Sequence, residues 1–162
     1  MFEKITQYSR EYMNPPENTR VGCRGLIVDG NKILLSHELN TGVYMTPGGG
    51  VESGETYEEC CKRELCEETG YDVSVGAQLF EFNEYFHETL FVNNYFICEI
   101  KGKGKPNLTE IEIEHGIVPE WVEVDKALDI FGEYDKYKDK DEGVNSLYLR
   151  EFTVITKLMN MR

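Results

Sequence analysis

PGGGVESGETYEECCKRELCEETGY, the stretch from Pro47 to Tyr71, places seven glutamates behind a run of three glycines. Within it, Thr56 and Glu59 have the spacing of a capping box, in which a hydroxyl and a carboxylate satisfy free amide groups at a helix start. Gly70 supplies the left-handed residue that commonly follows a helix. The stretch therefore predicts a helix from Tyr57 to Thr69. Its inward face is predicted to consist of Tyr57, Cys61 and Leu65.

Three carboxylates share one side of this helix near its end, at Glu64, Glu67 and Glu68. Like charges at this spacing repel, and a helix C-terminus favours cations over acids. The cluster is either a solvated acidic face or a site for a divalent cation. Carboxylates and carbonyl oxygens are hard ligands suited to Mg²⁺ or Mn²⁺, which commonly bridge to substrate phosphates. The second interpretation predicts hydrolysis at phosphorus, with a metal that lowers the pKa of a water and a spare glutamate as general base.

The glycine run at residues 48 to 50 lies directly before the acidic helix. Pro47 has no amide donor, so regular strand pairing is expected to stop there. Glycines let the main chain approach a ligand or metal closely. The alternative is a flexible loop.

Charge and cysteine content limit the classes of function. The chain of 162 residues carries a formal net charge of −13, which disfavours binding to nucleic-acid polymers or anionic membranes through a basic surface. A phosphate ligand would need metal ions as mediators. Five cysteines without a Cys-x-x-Cys pair indicate a reduced, cytoplasmic protein. Neither an export signal nor a membrane span is expected.

The rest of the chain predicts a single domain, residues 1–162, with strands on both sides of the acidic helix. Residues 1–20 are expected to form an N-terminal arm or short helix, and residues 132–143 a charged surface loop. A brief helix from Lys126 to Phe131, capped by Asp125, and a final amphipathic helix from Asn145 complete the chain. The final helix is expected to cover a sheet face through Tyr148, Phe152, Ile155 and Met159. The predicted strands are Val21 to Val28, Lys32 to Ser36, Val43 to Thr46, Gln78 to Phe86, Leu90 to Ile100, Ile111 to Glu114 and Trp121 to Val124.

The acidic stretch resembles the signature of the Nudix hydrolase family, G-x5-E-x7-R-E-U-x-E-E-x-G-U, where U is an aliphatic residue. Its 23 positions run from Gly49 to Tyr71, and only Tyr71 departs from the pattern. The matching residues are Gly49, Glu55, Arg63, Glu64, Leu65, Glu67, Glu68 and Gly70. The resemblance implies an α/β/α sandwich with a mixed β-sheet. It also implies hydrolysis of nucleoside diphosphates linked to another moiety.

The resemblance also assigns roles to individual residues. Glu64, Glu67 and Glu68 correspond to metal ligands, and the carbonyl of Gly48 is the expected fourth. The expected structural supports are Gly49, Glu55 and Arg63, and the alternative for Glu55 is metal binding through water. A further catalytic or metal-binding glutamate is expected ahead of the Trp121 strand, with Glu114 as the first choice and Glu112 as the second. The alternative for these two glutamates is the exposed face of an edge strand.

The substrate and the assembly are less closely defined. Arg20 and Arg24 are candidate contacts for phosphate, and Tyr85, Phe86 and Tyr95 are candidate stacking partners for a base, although strand aromatics commonly belong to the core. ADP-ribose enzymes of the family carry a proline shortly after the signature, but no proline occurs between residues 72 and 105. Dinucleoside polyphosphates, nucleotide sugars and nucleoside triphosphates also remain as candidates. Rival functions are a non-catalytic nucleotide sensor, an isomerase and a Ca²⁺-binding protein. The last of these predicts a D-x-D-x-D-G loop, which the sequence does not contain. A homodimer through the N-terminal arm or a strand edge is a further expectation.

Overall fold

The computed structural model describes all residues 1–162 and confirms the α/β fold class. Its strands form a five-stranded sheet in the order β1-β7-β8-β2-β6 and a four-stranded sheet in which β4 pairs with β3, β5 and β9. The larger sheet is mixed, since β1 pairs with β7 and β2 with β8 in parallel while β7 and β8 are antiparallel. The strands are β1 Glu3–Tyr12, β2 Asn18–Leu26, β3 Val28–Asp29, β4 Lys32–Glu38, β5 Tyr44–Met45, β6 Gly48–Gly50, β7 Tyr71–His87, β8 Thr89–Lys103 and β9 Ile117–Glu123.

Four α-helices and one 3-10 helix, Glu133–Tyr137, accompany the strands. The α-helices are α1 Tyr57–Thr69, α2 Glu110–His115, α3 Val124–Gly132 and α4 Glu142–Asn160. None of them combines the length and the apolar character needed to cross a bilayer.

Helix α1 has the predicted bounds and caps. Thr56 accepts a hydrogen bond from the amide of Glu59, the Glu59 carboxylate accepts one from the amide of Thr56, and Gly70 is left-handed with φ 79°. Cys61 and Leu65 are buried as predicted. Tyr57, in the first turn of the helix, is 41% exposed, so its predicted place on the inward face is wrong. The inward face instead continues through Cys60 and Glu68.

Hydrophobic cores lie on both sides of the strands. Leu26, Ile33 and Leu35 belong to a core with α3 and α4. Their neighbours Cys23, Ile27 and Leu34 belong to a second core with α1. Because side chains along a strand alternate between the two faces, the strands lie between α1 on one side and α3 and α4 on the other.

The N-terminal segment is not the arm or short helix that the sequence predicted. Glu3–Tyr12 forms β1, which pairs in parallel with β7, and Ile5 packs against the core under α4. Gln7 also donates a hydrogen bond to the Ser146 carbonyl oxygen at 2.9 Å. The homodimer expected through this segment stays a prediction.

Three other elements differ from the sequence prediction. The strand predicted to run to Val28 divides, so that β2 joins the larger sheet and β3 forms a hairpin with β4. The glycine run continues strand pairing after Pro47, because β6 lies antiparallel to β2. The predicted strand from Ile111 to Glu114 is helix α2, which has its own capping box between Thr109 and Glu112.

The region before α4 is more ordered than a surface loop. Residues 132–143 contain the 3-10 helix, whose Tyr134 and Tyr137 pack against the core. Asp141 caps α4, and its predicted apolar face is confirmed, with Tyr148 and Ile155 fully inside. Asp125 does not cap α3, since it lies within the first turn of that helix.

Candidate active site

The glycine strand β6 lies against the acidic side of α1. A Cβ atom at Gly49 would be only 2.4 Å from the Glu64 carboxylate, so a larger residue there would displace that carboxylate. A Cβ at Gly48 would collide with the Cys23 carbonyl oxygen at 2.2 Å. At Gly50 the nearest atom is 4.0 Å away. The first two glycines are therefore required by close approach, which brings the main chain of β6 beside the acids of α1.

Arg63 holds several acids of this region together. Its guanidinium donates hydrogen bonds to Glu55 at 2.6 and 2.9 Å, to Glu64 at 2.9 Å and to Glu67 at 3.1 Å. It also donates to the carbonyl oxygen of Gly50 at 3.0 Å. The hydrogen bonds from Arg63 lower the pKa of Glu55 to about 2. Arg63 thus fixes the loop before α1 to the acidic face of the helix.

Glu68 is the most deeply buried acid of α1. It is 5% exposed and accepts a hydrogen bond from the hydroxyl of Ser36 on β4. Burial raises the pKa of Glu68 to about 8, and burial also raises the pKa of Glu64. A raised carboxyl pKa means that the surroundings disfavour the charged form. The nearby positive charge of Arg24 opposes the shift at Glu68, and a bound cation would do the same.

The donor chemistry of these residues fits a hard divalent cation. Glu64, Glu67 and Glu68 offer carboxylate oxygens. The absence of a side chain at Gly49 leaves room for the carboxylate of Glu64. The structure does not gather three acids around a common point. The reason is that Glu64 and Glu67 bond to Arg63, whereas Glu68 bonds to Ser36.

Of the two glutamates on α2, Glu112 is electrostatically coupled to these acids. Burial is the main cause of the raised pKa at Glu64 and Glu68, and the negative charge of Glu112 adds to both shifts. Glu112 is half-buried, whereas Glu114 is exposed and its carbonyl oxygen accepts a hydrogen bond from the Asn40 side chain at 2.6 Å. Of the two glutamates, Glu112 therefore has the less exposed side chain, and its charge acts on the α1 acids.

One cleft opens beside the glycine strand β6, and a second cleft adjoins it. The outer cleft, of about 190 Å³, is lined by Gly49 and Gly50 together with Arg20 and Arg24 of β2. The inner cleft, of about 230 Å³, lies between β7, β8 and α4. Arg24, Phe91 and Asn93 line both. One elongated ligand can therefore extend from the outer cleft beside Gly49 and Gly50 into the inner cleft beside α4.

Arg24 is fixed at the junction of the two clefts. Its Nε donates to the Oδ1 of Asn93 at 3.1 Å, and its Nη1 donates to the carbonyl oxygen of Thr46 at 2.6 Å. Arg20 lines the outer cleft together with Arg24, so the side chains of both arginines border the same space.

The structure does not bring the two candidate tyrosines to either cleft. Tyr95 is fully buried, and its hydroxyl donates to Glu151. Tyr85 stacks on Tyr8 with ring centroids 5.0 Å apart, on the sheet face opposite Glu84 and Phe86. The aromatic residues at the inner cleft are Phe86, which the sequence suggested, and Phe91, which it did not. The pairing of Phe91 with Arg20 across β2 and β8 places both on one face, and only the register shows this.

Comparison with known proteins gives a family match and several partial relatives. The family model described as "NUDIX domain" matches residues 18–142. An "ADP-ribose pyrophosphatase" of Methanocaldococcus jannaschii is 45% identical over 73 residues, which are 43% of this chain and 41% of that protein. An "8-oxo-dGTP diphosphatase" of Haemophilus influenzae is 38% identical over 60 residues, which are 37% of this chain and 43% of that protein. The matched part thus spans less than half the length of each relative.

A solved structure shares the fold. The "NUDIX hydrolase from Nitrosomonas europaea" superimposes with a TM-score of 0.56 and 22% sequence identity, over 67% of this chain and 74% of that chain. At this identity the likeness concerns the fold alone.

Proposed function

This chain belongs to the Nudix family, and from that premise we propose that it is a metal-dependent hydrolase that cleaves a phosphoanhydride bond of a nucleoside diphosphate derivative. Water attacks phosphorus, and the products are a nucleoside monophosphate and the remaining phosphate half. The observation that carries this proposal is the complete set of acids on α1, beside a cleft that contains Arg20 and Arg24. The five free thiols agree with the cytoplasmic location that forms part of the proposal.

The proposal assigns the metal-binding role to Glu64, Glu67 and Glu68, with the carbonyl oxygen of Gly48. When bound, Mg²⁺ or Mn²⁺ supplies charge neutralisation at the phosphate oxygens and a lowered pKa for the attacking water. Arg63 holds the carboxylates of Glu64 and Glu67 in place through its hydrogen bonds. Positioning of this kind is a large part of catalysis in phosphoryl transfer.

Arg20 and Arg24 orient the phosphate groups of the substrate in the outer cleft. Arginine is well suited to this task, because its guanidinium presents several donors in a fixed plane. Since the hydrogen bonds to Asn93 and Thr46 already hold Arg24, it loses little side-chain entropy when a phosphate binds. The two arginines also offset the negative charge that the protein presents to an anionic substrate.

The further catalytic glutamate, for which the sequence favoured Glu114 over Glu112, is Glu112 in this proposal, and we assign it the role of general base. Glu112 is half-buried whereas Glu114 is exposed, and the negative charge of Glu112 acts on Glu64 and Glu68. We expect Glu112→Gln to lower kcat by roughly 100-fold or more, since a general base contributes about 10²–10⁴-fold. Glutamine also satisfies the capping box with Thr109, so α2 should stay folded.

Glu114→Gln is the matched control for this substitution, because it makes the same change two residues further along the same helix. It should leave kcat within about twofold of the wild type. Steady-state rates of the two variants decide between the glutamates. A large loss in Glu114→Gln together with a normal rate in Glu112→Gln would return the role to Glu114.

A product screen tests the function itself. The purified protein is incubated with ADP-ribose, nucleotide sugars, dinucleoside polyphosphates and nucleoside triphosphates, each with Mg²⁺ and with Mn²⁺. We expect release of a nucleoside monophosphate from at least one class, and only when a metal is present. A protein that binds these compounds tightly and never releases a product would instead be a nucleotide sensor.

A further inference from the structure

Glu151 of α4 is a buried acid to which the proposed hydrolysis assigns no role. The residue is 0% exposed, and both oxygens of its carboxylate accept hydrogen bonds. Oε1 accepts from the hydroxyl of Tyr95 and from the Nε of Arg150 at 3.2 Å, and Oε2 accepts from the backbone amide of Thr46 at 2.6 Å. Burial alone would raise the pKa of Glu151, but the positive charges of Arg150 and Arg24 outweigh it, so the pKa is lowered. A charged carboxylate of the last helix therefore binds the main chain just before the glycine strand.

Thr46 is the residue at which the chain passes from one sheet to the other. The strand before it, Tyr44–Met45, pairs with β4 in the smaller sheet, and the strand after it, Gly48–Gly50, pairs with β2 in the larger one. Thr46 belongs to neither strand and is 0% exposed. A buried backbone amide needs a hydrogen-bond partner, and at this crossing the partner is the carboxylate of Glu151.

Strand β2 holds the same crossing from the other side. The carbonyl oxygen of Thr46 accepts a hydrogen bond from the Nη1 of Arg24 at 2.6 Å. The next carbonyl oxygen, that of Pro47, accepts one from the amide of Gly25 at 3.0 Å. Thr46 is thus fixed at its amide by Glu151 and at its carbonyl by Arg24, which also lines the outer cleft.

The link from Thr46 to the glycine strand is stiff. The ring of Pro47 fixes its φ angle, and a residue before a proline is confined to extended conformations. A displacement of Thr46 is therefore passed on to Gly48, whose carbonyl oxygen is the proposed main-chain metal ligand. The strand also has little room to shift, because a Cβ atom at Gly49 would be only 2.4 Å from the carboxylate of Glu64. The position of the crossing thus determines how the glycine strand meets the acids of α1.

We propose that Glu151 is a positioning residue of the active site, which holds the glycine strand where the carbonyl oxygen of Gly48 and the carboxylates of α1 can bind a metal ion together. Glu151 acts through its hydrogen bond to the amide of Thr46 and touches neither metal nor substrate. The inference rests on the proposed function, since it takes Gly48 to be a metal ligand. A buried acid that served stability alone would have no specific effect on metal binding.

Glu151→Asp tests this role. The substitution keeps the negative charge, so the long-range attraction for a cation is unchanged, but the shorter side chain draws the carboxylate away from the amide of Thr46. The probe is Mn²⁺ alone, and the free ion is measured by electron paramagnetic resonance in the absence of substrate. We expect the Kd for Mn²⁺ to rise about tenfold, since residues that orient metal ligands typically contribute 10–100-fold to metal affinity. A folded Glu151→Asp protein with the wild-type Kd would overturn the inference.

Tyr95→Phe is the matched control. It removes a hydrogen bond to the same carboxylate, at Oε1, and leaves the bond between Oε2 and the amide of Thr46 in place. Both variants should be less stable than the wild type, because each loses a buried hydrogen bond. Tyr95→Phe should nevertheless keep the Kd for Mn²⁺ within about twofold of the wild type. An equal rise of the Kd in both variants would show that general loosening of the core is the cause, and would overturn the inference.

Amide hydrogen exchange in the wild-type protein tests the same coupling without a substitution, and it decides if Glu151→Asp does not fold. Coupling between two sites is reciprocal, so a crossing that favours metal binding must itself be held more firmly when the metal is bound. Mg²⁺ should slow the exchange of the Thr46 amide at least about fivefold more than that of the Leu34 amide, which bonds to Ile27 in the core. Equal slowing of the two amides, followed by nuclear magnetic resonance, would overturn the inference.

The outcomes also separate this inference from the proposed function. Mn²⁺ binding that is equal in the wild type and in Glu151→Asp would leave the proposed function standing and overturn the inference alone. A wild-type protein that binds no Mn²⁺ would overturn the metal site of the proposed function and the inference with it.

Discussion

Glu67→Gln is expected to lower the rate of metal-dependent nucleotide hydrolysis by at least about 100-fold, while the protein stays folded. Glutamine has nearly the same shape as glutamate and can still accept a hydrogen bond from Arg63, which lies 3.1 Å from this carboxylate. It lacks the negative charge that a hard divalent cation requires. The measurement is the initial rate of nucleoside monophosphate release at saturating Mg²⁺.

Glu58→Gln serves as the matched control for this substitution. Glu58 is an exposed residue in the first turn of the same helix, and the change removes the same charge away from the acidic cluster. Its rate should stay within about twofold of the wild type. A Glu67→Gln protein that matches Glu58→Gln in rate would show that Glu67 has no part in the reaction.

Arg63→Ala is expected to reduce both stability and activity. Arg63 is 22% exposed at its side chain and is the shared partner of Glu55, Glu64 and Glu67, so its removal leaves three carboxylates without their cation. We expect the free energy of unfolding to fall by about 2–3 kcal/mol in metal-free buffer, since hydrogen bonds to charged groups are worth about 1.5–3 kcal/mol each and this group is partly screened by solvent. Urea denaturation followed by circular dichroism measures the change.

Lys62→Ala removes a neighbouring cation and controls for charge. Lys62 is 59% exposed at its side chain and lies 3.5 Å from Asp72, so its loss should cost at most about 0.5 kcal/mol. Arg63→Lys should recover only part of the stability, because an ammonium cannot reproduce the planar fork of the guanidinium. Equal stability of Arg63→Ala and Lys62→Ala would show that Arg63 does not fix the loop before α1 to the acidic face of the helix.

Local signals in the sequence predicted α1 well. The capping box at Thr56, the left-handed Gly70 and the spacing of Cys61 and Leu65 lie within fifteen residues, so each signal can be recognised within one short segment. The same signal is present at Thr109 and Glu112, where the alternation of Ile111 and Ile113 led instead to the prediction of a strand. Those two isoleucines are 65% and 62% exposed, so their alternation does not reflect burial. The capping signal was the more reliable of the two, because it describes hydrogen bonds at a helix start rather than an average over side chains.

Elements that depend on distant partners could not be predicted. The strand β1 is polar along most of its length, and it is a strand because it pairs with β7, where Ile5 lies beside Phe82. The pairing of Gly48–Gly50 with β2 likewise satisfies backbone groups through a strand far away in the sequence. No period in the local sequence encodes such pairings.

The candidate site likewise contains residues that the sequence could identify and residues that it could not. The acids of α1 and Arg63 could be identified, since they lie on neighbouring turns of one helix. Ser36, which bonds to Glu68, and Arg150, at the end of the inner cleft, come from elements whose register only the folded chain defines. For this reason the sequence indicated the acids of α1 more clearly than the residues that line the inner cleft.

The most direct test of the central claim is the release of nucleoside monophosphate by the wild-type protein, measured with Mg²⁺, with EDTA, and after Mg²⁺ is added back. The proposed mechanism predicts that product forms with Mg²⁺, stops in EDTA and resumes at the original rate when the metal returns. An equal rate in EDTA, or no product from any nucleotide derivative with either Mg²⁺ or Mn²⁺, would contradict it.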